Sequence, residues 1–149
     1  MAVRLSEPEL PAQVGVRGEP PAAFPVEPNT TAEVDGRLVC WLGPDEWLVF
    51  GAAEADFPDA AAAVDVSANR VAFELAGPEA PEVLAHGCSL DLDPHVFAVG
   101  RCAQTLLARA PALLVRTGEE TWLVLPRPSF APYVRAWLED ALTSLPASR

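Results

Sequence analysis

At 149 residues, half of them apolar and 21% charged, the chain is long enough for one domain with a core and too short for two ordinary ones. Its formal charge of −11 is concentrated in residues 1–65, which hold twelve acids and three arginines, so nucleic acid is a poor partner and a basic protein surface a better one. All ten cationic residues are arginine, which excludes both a Schiff-base lysine and the lysine of a phosphate-binding P-loop.

Six of the sixteen prolines lie in the first 36 residues, so this segment reads as extended or turn-rich, with one short strand at Gln13–Arg17. Residues 37–52 hold two apolar runs around Gly43-Pro44-Asp45-Glu46, a hairpin by turn chemistry. "DFPDAAAAV" (56–64) suggests a short helix capped by Asp56 with Pro58 in its first turn. Residues 70–77 read as a strand, and 78–87 as a short helix that starts on proline and stops at Gly87. Three strands follow at Cys102–Ala108, Leu113–Thr117 and Thr121–Leu125. Phe130, Tyr133, Val134, Trp137, Leu138 and Ala141 then mark an amphipathic helix with Ser129 as N-cap.

Internal similarity organises these elements. "GPDEWLV" (43–49) matches "GEETWLV" (118–124), and "VGVRGEP" (14–20) parallels "FELAGPE" (73–79). The offset is 59 residues for the glycines (Gly18, Gly77) and 75 for the tryptophans (Trp47, Trp122), so the first half lacks 16 residues before its hairpin. The expected architecture is α+β: two ferredoxin-like strand–helix–strand–strand–helix units in pseudo-duplication, the first lacking its opening helix. A sheet face deprived of that helix is expected to be bare and apolar, which points to a protein partner. Residues 1–149 form one domain, with 1–12 and 143–149 as flexible tails.

Chemistry is concentrated in "HGCSLDLDPHVFAVGRC" (86–102), which holds both histidines and two of the three cysteines. His86, Cys88, His95 and Cys102 are zinc-ligating types, but H-x-C-x6-H-x6-C is not a usual structural spacing, and Cys102 opens an apolar strand; no metal is expected. A Cys–His catalytic pair lacks an orienting Asn or Asp. Asp65, Ser67 and Arg70 could cluster as a polar site, although Asp65 and Ser67 are better read as turn and capping groups. The four tryptophans read as core and rim of packed sheets. An odd cysteine count without C-x-x-C, and an opening decapeptide without an apolar run, fit a cytoplasmic protein with no signal peptide. No stretch approaches the ~18 apolar residues of a membrane span.

"LGPDEWLV", "DVSANRVAFELAGPEAPEVLAHGCSLDL", "FAVGRCAQTLLARAPALLVR" and "PRPSFAPYVRAWLEDAL" closely resemble the gamma subunit of heterotetrameric sarcosine oxidase, and "QVGVRG" and "VEPNT" resemble that family's N-terminal segment. The resemblance runs from about Val3 to Leu142. It implies a fold related to the folate-binding domain of the glycine-cleavage T-protein and of dimethylglycine dehydrogenase. It also implies an assembly with alpha, beta and delta subunits that oxidatively demethylates sarcosine to glycine, passes the one-carbon unit to tetrahydrofolate, and uses FAD, FMN and NAD. In such enzymes these cofactors belong to other chains, so no catalytic, cofactor-binding or metal-binding residue is carried over. Two departures stand out: the helix usually found between "VRGEP" and "EPNT" has shrunk to a few proline-rich residues, and "DVSAN" lacks the histidine that related sequences often show after the serine.

Residues 89–101 have neither helical nor strand periodicity. Leu90, Leu92, Val96 and Phe97 are expected to be exposed there, as a loop that docks, with the bare sheet of the first unit, on the alpha subunit. The alternatives are the small subunit of an oxidase or dehydrogenase acting on another N-methyl amino acid, or a free-standing folate-binding module. For the latter only Asp65 or Glu74 could serve as the pterin carboxylate.

Overall fold

The computed structural model describes residues 3–144, which hold ten strands and two α-helices. They divide into two compact units: a first spanning Leu10–Asn69, and a second made of the residues up to Glu9 together with those from Arg70 onward.

In the first unit, β2 (Gln13–Arg17), β3 (Thr31–Val34), β4 (Arg37–Gly43), β5 (Glu46–Phe50) and β6 (Ala62–Asp65) form an antiparallel sheet of order β3-β4-β5-β2-β6. In the second, β1 (Arg4–Ser6), β7 (Phe73–Ala76), β8 (Cys102–Leu107), β9 (Ala110–Arg116) and β10 (Thr121–Pro126) form a sheet of order β1-β7-β10-β9-β8. The two orders superimpose, and so do the registers. Trp47 on the central β5 lies opposite Val16, and Trp122 on the central β10 lies opposite Leu75. These pairs reproduce the offsets of 75 and 59 residues in the sequence repeat, so the duplication is real at the level of strand register.

The outer strand beside β2 or β7 has a different origin in each unit. In the first it is β6, the end of that unit's own chain. In the second it is β1, from the N-terminal end of the protein. Residues 1–12, expected to be a tail, therefore supply a paired strand over Arg4–Ser6. Of the other expected tail, Thr143 ends the last helix, and 145–149 lie outside the described residues. Beyond β1, Glu7 accepts two hydrogen bonds from Arg135, at 2.8 and 2.7 Å, which tie this segment to the C-terminal helix.

The second unit covers one sheet face with α1 (Ala80–Ala85) and α2 (Ala131–Thr143). Val83 and Leu84 of α1 and Val134, Leu138 and Ala141 of α2 pack with Phe73, Leu75, Trp122 and Val124 in one core. The helix periodicity of 130–141 is thus confirmed. Ser129, however, lies in a 3₁₀ turn before the helix, and no side chain caps α2. At Gly87 a Cβ would stand 2.5 Å from Trp137, which explains why α1 must stop on a residue with no side chain.

The first unit has no α-helix. The expected helix at 56–64 is instead a 3₁₀ turn at Glu54–Asp56 followed by β6. Helix propensity in "AAAAV" is worth only tenths of a kcal/mol per residue, and β2 offers an open edge whose backbone groups are satisfied by Ala62–Asp65. The sheet face that lacks a helix is not bare either. The proline-rich connection between β2 and β3 turns at Ala23, with φ 69°, and inserts Phe24 against Trp47, ring centroids 5.8 Å apart and edge to face. Phe57 closes on Phe24 from the other side at 5.9 Å, and Trp47 Nε1 donates to the Pro25 carbonyl at 2.7 Å. Val14, Val16, Val39, Trp47 and Val49 are at most 1% exposed in consequence. A strap with one phenylalanine does the covering work of a helix.

Phe24→Ala is therefore expected to cost about 3 kcal/mol or more of stability, against a few tenths for Val26→Ala two residues on, where the side chain is exposed. Urea unfolding of both variants measures the contrast. The Arg135 guanidinium, chiefly by hydrogen bonding, holds the Glu7 carboxyl below its ordinary pKa of 4.5. The stabilisation from this pair is complete above pH 4.5 and is lost as pH falls through the lower folded value. Glu7→Gln should be less stable than the parent chain near neutral pH, and the two should converge as the solution is acidified, which unfolding midpoints across that range will show.

Candidate functional site

In the second unit, Arg116 ends β9 directly opposite Trp122 at the start of β10. Its guanidinium, 5% exposed, lies over the Trp122 ring at 5.4 Å. It donates through Nη1 to the carbonyls of Phe97 (2.9 Å) and Pro94 (3.3 Å), and through Nη2 to the Glu119 carbonyl at 2.7 Å. The Glu119 carboxylate is 3.8 Å away but 92% exposed, so solvent screens most of that attraction. The buried charge is held by carbonyl dipoles and an aromatic face instead. Among the described residues Arg116 Nε and Trp122 Nε1 have no hydrogen-bond partner, a cost that the rest of the arrangement offsets.

What Arg116 holds is the loop between α1 and β8. Asp91 accepts from the Asp93 backbone N–H at 3.0 Å, and Asp93 from that of His95 at 2.8 Å. The Asp93 carbonyl accepts from both Val96 and Phe97 at 2.8 Å, and Gly100 and Arg101 bond to the backbone of Arg116. These turns give the loop two sides. Leu92 and Phe97 point inward at 5% and 6% exposure, with the Phe97 ring 5.1 Å from Trp122. Leu90, Val96 and Val99 point outward at 37%, 54% and 45%.

The expectation that all four of Leu90, Leu92, Val96 and Phe97 are exposed is thus corrected for Leu92 and Phe97, which belong to the core. The reason is Trp122: the Phe97 ring packs 5.1 Å from its ring, and Leu92 joins the same buried cluster. Val99 was not singled out by the sequence, and nor was Arg116, whose place at the foot of a strand carries no local signal. An arginine cross-strand from a tryptophan becomes visible only once the hairpin register is known.

The other chemistry-bearing residues of this stretch are dispersed. His86 caps α1, with Nδ1 3.5 Å from Ser144 Oγ, and the His95 side chain is 96% exposed beside Asp93. Cys88 and Cys102 are buried thiols, Cys88 lying 3.8 Å from Thr105 Oγ1. Among the described residues no three His, Cys, Asp or Glu side chains converge as metal ligands. In the first unit, Asp65 accepts from the Ser67 backbone N–H at 2.8 Å, a bond that holds its pKa below the ordinary value, and Ser67 Oγ accepts from the Gln13 N–H at 2.8 Å. Both groups close the β2–β6 ladder, as capping residues do. Trp47 and Trp122 are fully buried in the two cores.

The model of the sarcosine oxidase, gamma subunit family matches residues 21–144. The chain belongs to this family. It is 40% identical to the sarcosine oxidase subunit gamma of Arthrobacter sp., with 95% of this chain and 81% of that protein aligned. It is 38% identical to the one from Corynebacterium sp. (strain P-1), over 95% and 80% of the two chains. Among solved structures it matches a chain of the heterotetrameric sarcosine oxidase from Corynebacterium sp. U-96 in complex with pyrrole 2-carboxylate. That match has a TM-score of 0.86 and 34% identity, over 99% of this chain and 87% of that one. The resemblance read from the sequence motifs therefore holds across the chain, and the duplicated α+β architecture is that of the gamma-subunit fold.

For this gamma-family chain, Phe97→Asp places a charge against Trp122 and is expected to cost at least about 3 kcal/mol of stability. Val96→Asp, one residue away on the outer side, is expected to change stability by less than about 0.5 kcal/mol. Thermal unfolding of the two variants distinguishes an inward from an outward side chain.

Proposed function

We propose that this chain is the small, non-catalytic subunit of a heterotetrameric sarcosine oxidase and serves its assembly and stability. The complex demethylates sarcosine oxidatively to glycine and passes the one-carbon unit to tetrahydrofolate. FAD, FMN, NAD and the folate are held by the other chains, and the alpha subunit is the direct neighbour of this one. The likeness to relatives named as gamma subunits, along nearly the whole chain, together with a TM-score of 0.86 to a chain of a heterotetrameric sarcosine oxidase, carries this reading. A structural role also suits the polar groups, since Asp65, Ser67 and Arg116 are engaged with backbone atoms rather than with a cavity. No helix among the described residues is long and apolar enough to cross a membrane, and three thiol cysteines suit a reducing cytoplasm.

The docking element in this reading is the outer side of the 89–100 loop. Leu90, Val96 and Val99 are three of the seven large apolar side chains exposed on the described chain, and they share one short loop. Held from below by Leu92, Phe97 and Arg116, the loop loses little conformational entropy on contact, which is what a preformed interface needs. The alpha subunit is expected to bury Leu90 and Val96.

Co-expression with the alpha, beta and delta chains tests this. The double variant Leu90→Glu/Val96→Glu should fold as the parent does, yet lower the recovery of the yellow flavoprotein complex on this chain by about tenfold or more. Full recovery of the complex would remove the loop from the interface. Failure of the parent chain itself to co-purify with flavoprotein subunits would remove the subunit reading.

A further inference from the structure

The duplicated plan carries its own control at the position of Arg116. On β9, Arg116 lies directly across from Trp122, and on β4 of the first unit the residue directly across from Trp47 is Trp41. Even the backbone bond at each position is repeated. The Trp41 N–H donates to the Thr30 carbonyl at 3.0 Å, and the Arg116 N–H to the Arg101 carbonyl at 3.1 Å. Trp41 is half-buried and packs on the apolar core of its unit. The sheet therefore accepts an apolar side chain at this register, and nothing in the strand plan asks for a cation.

The cation is also poorly provided for as a stabilising element. Its guanidinium is buried, the Glu119 carboxylate paired with it is almost fully exposed, and its Nε has no hydrogen-bond partner. Replacing a buried charge of this kind by an apolar side chain of similar volume is often neutral or stabilising. What the second unit has and the first lacks is the long connection before β8, and Nη1 is engaged there, on the carbonyls of Phe97 and Pro94. Residues 89–100 contain no helix or strand, and the bonds within the loop are those of turns. The Leu92 and Phe97 side chains anchor it by packing, which leaves the path of the backbone between them open. The two carbonyls on Arg116 fix that path, and Val96 lies between them.

We propose that Arg116 is a positioning residue for assembly. Buried out of reach of another chain, it adds little to the stability of the fold and holds the Pro94–Phe97 turn in the conformation that presents Val96. Apparent affinity scales with the fraction of chains in the competent conformation, so a tenfold fall in that fraction weakens assembly tenfold. The assembly half of this inference rests on the subunit reading above, whereas the loop half concerns this chain alone.

The test uses the full chain and the reconstituted complex. Arg116→Met keeps the length and removes the charge, and Arg116→Lys keeps the charge without the planar fork that spans several carbonyls. The unfolding midpoint of Arg116→Met should stay within ~3 °C of the parent's or rise. Amide exchange at Val96, Phe97 and Gly100 should quicken about tenfold or more, while that of Leu123 and Val124 on β10 stays as in the parent. Its apparent affinity for the remaining subunits should fall about tenfold, with Arg116→Lys between the two. A purely structural role would instead lower the midpoint and quicken exchange in loop and sheet together. A midpoint lowered beyond that range, or failure of Arg116→Met to fold, overturns the proposal. So does parent-like loop exchange, or parent-like assembly of a variant whose loop has loosened, and each leaves the subunit reading intact. No assembly even by the parent chain overturns that reading and with it the assembly role of Arg116.

Discussion

Each sheet of this protein is organised around a fully buried tryptophan on its central strand, and covering that ring is the constraint from which the rest of the structure follows. Trp47 and Trp122 occupy the same register in the two units, opposite Val16 and Leu75. Neither ring is covered by regular structure alone. Phe24 covers the first and Phe97 the second, and both arrive from the same connection of the duplicated plan, between the unit's first strand and the next. In the second unit that connection also holds α1; in the first it has contracted to a proline-rich strap.

The seals differ in their polar half. Trp47 donates its indole N–H to the Pro25 carbonyl, so strap and ring are joined by a hydrogen bond as well as by Phe24. Trp122 is faced by the Arg116 guanidinium, which reaches past the ring to the carbonyls of Pro94 and Phe97. A buried cation with dipoles in place of a carboxylate is a demanding arrangement, because the desolvation it suffers is met only if those carbonyls stay put. It fixes the 89–100 loop to the sheet. The same geometry that draws Leu92 and Phe97 inward pushes Leu90, Val96 and Val99 out, so core packing and the proposed docking surface have one origin.

The duplication also explains why the two units are not two consecutive halves of the chain. Each central pair of strands needs a further strand to satisfy its edge. In the first unit β6 supplies it from downstream, and in the second β1 supplies it from the far N-terminal end, secured by Glu7 on Arg135. A family whose members act within larger assemblies thus builds its small chain from two sheets of identical order whose outer strands come from different ends.

The sequence by itself determined the central hairpins, the duplicated plan, the C-terminal amphipathic helix and, through its motifs, the family. All of these depend on neighbours close in the chain: turn chemistry at Gly43-Pro44 and Gly118-Glu119, tryptophans at equal spacing, and apolar residues at i, i+3 and i+4. The tertiary structure alone decided the edges and the orientations. "AAAAV" became strand rather than helix because β2 had an open edge to fill, and Arg4–Ser6 became strand because β7 did. Of the four loop residues expected outside, Phe97 and Leu92 went in because Trp122 lay beneath them. Such choices turn on which surface is left uncovered once everything else has packed, and no local stretch of sequence contains that surface.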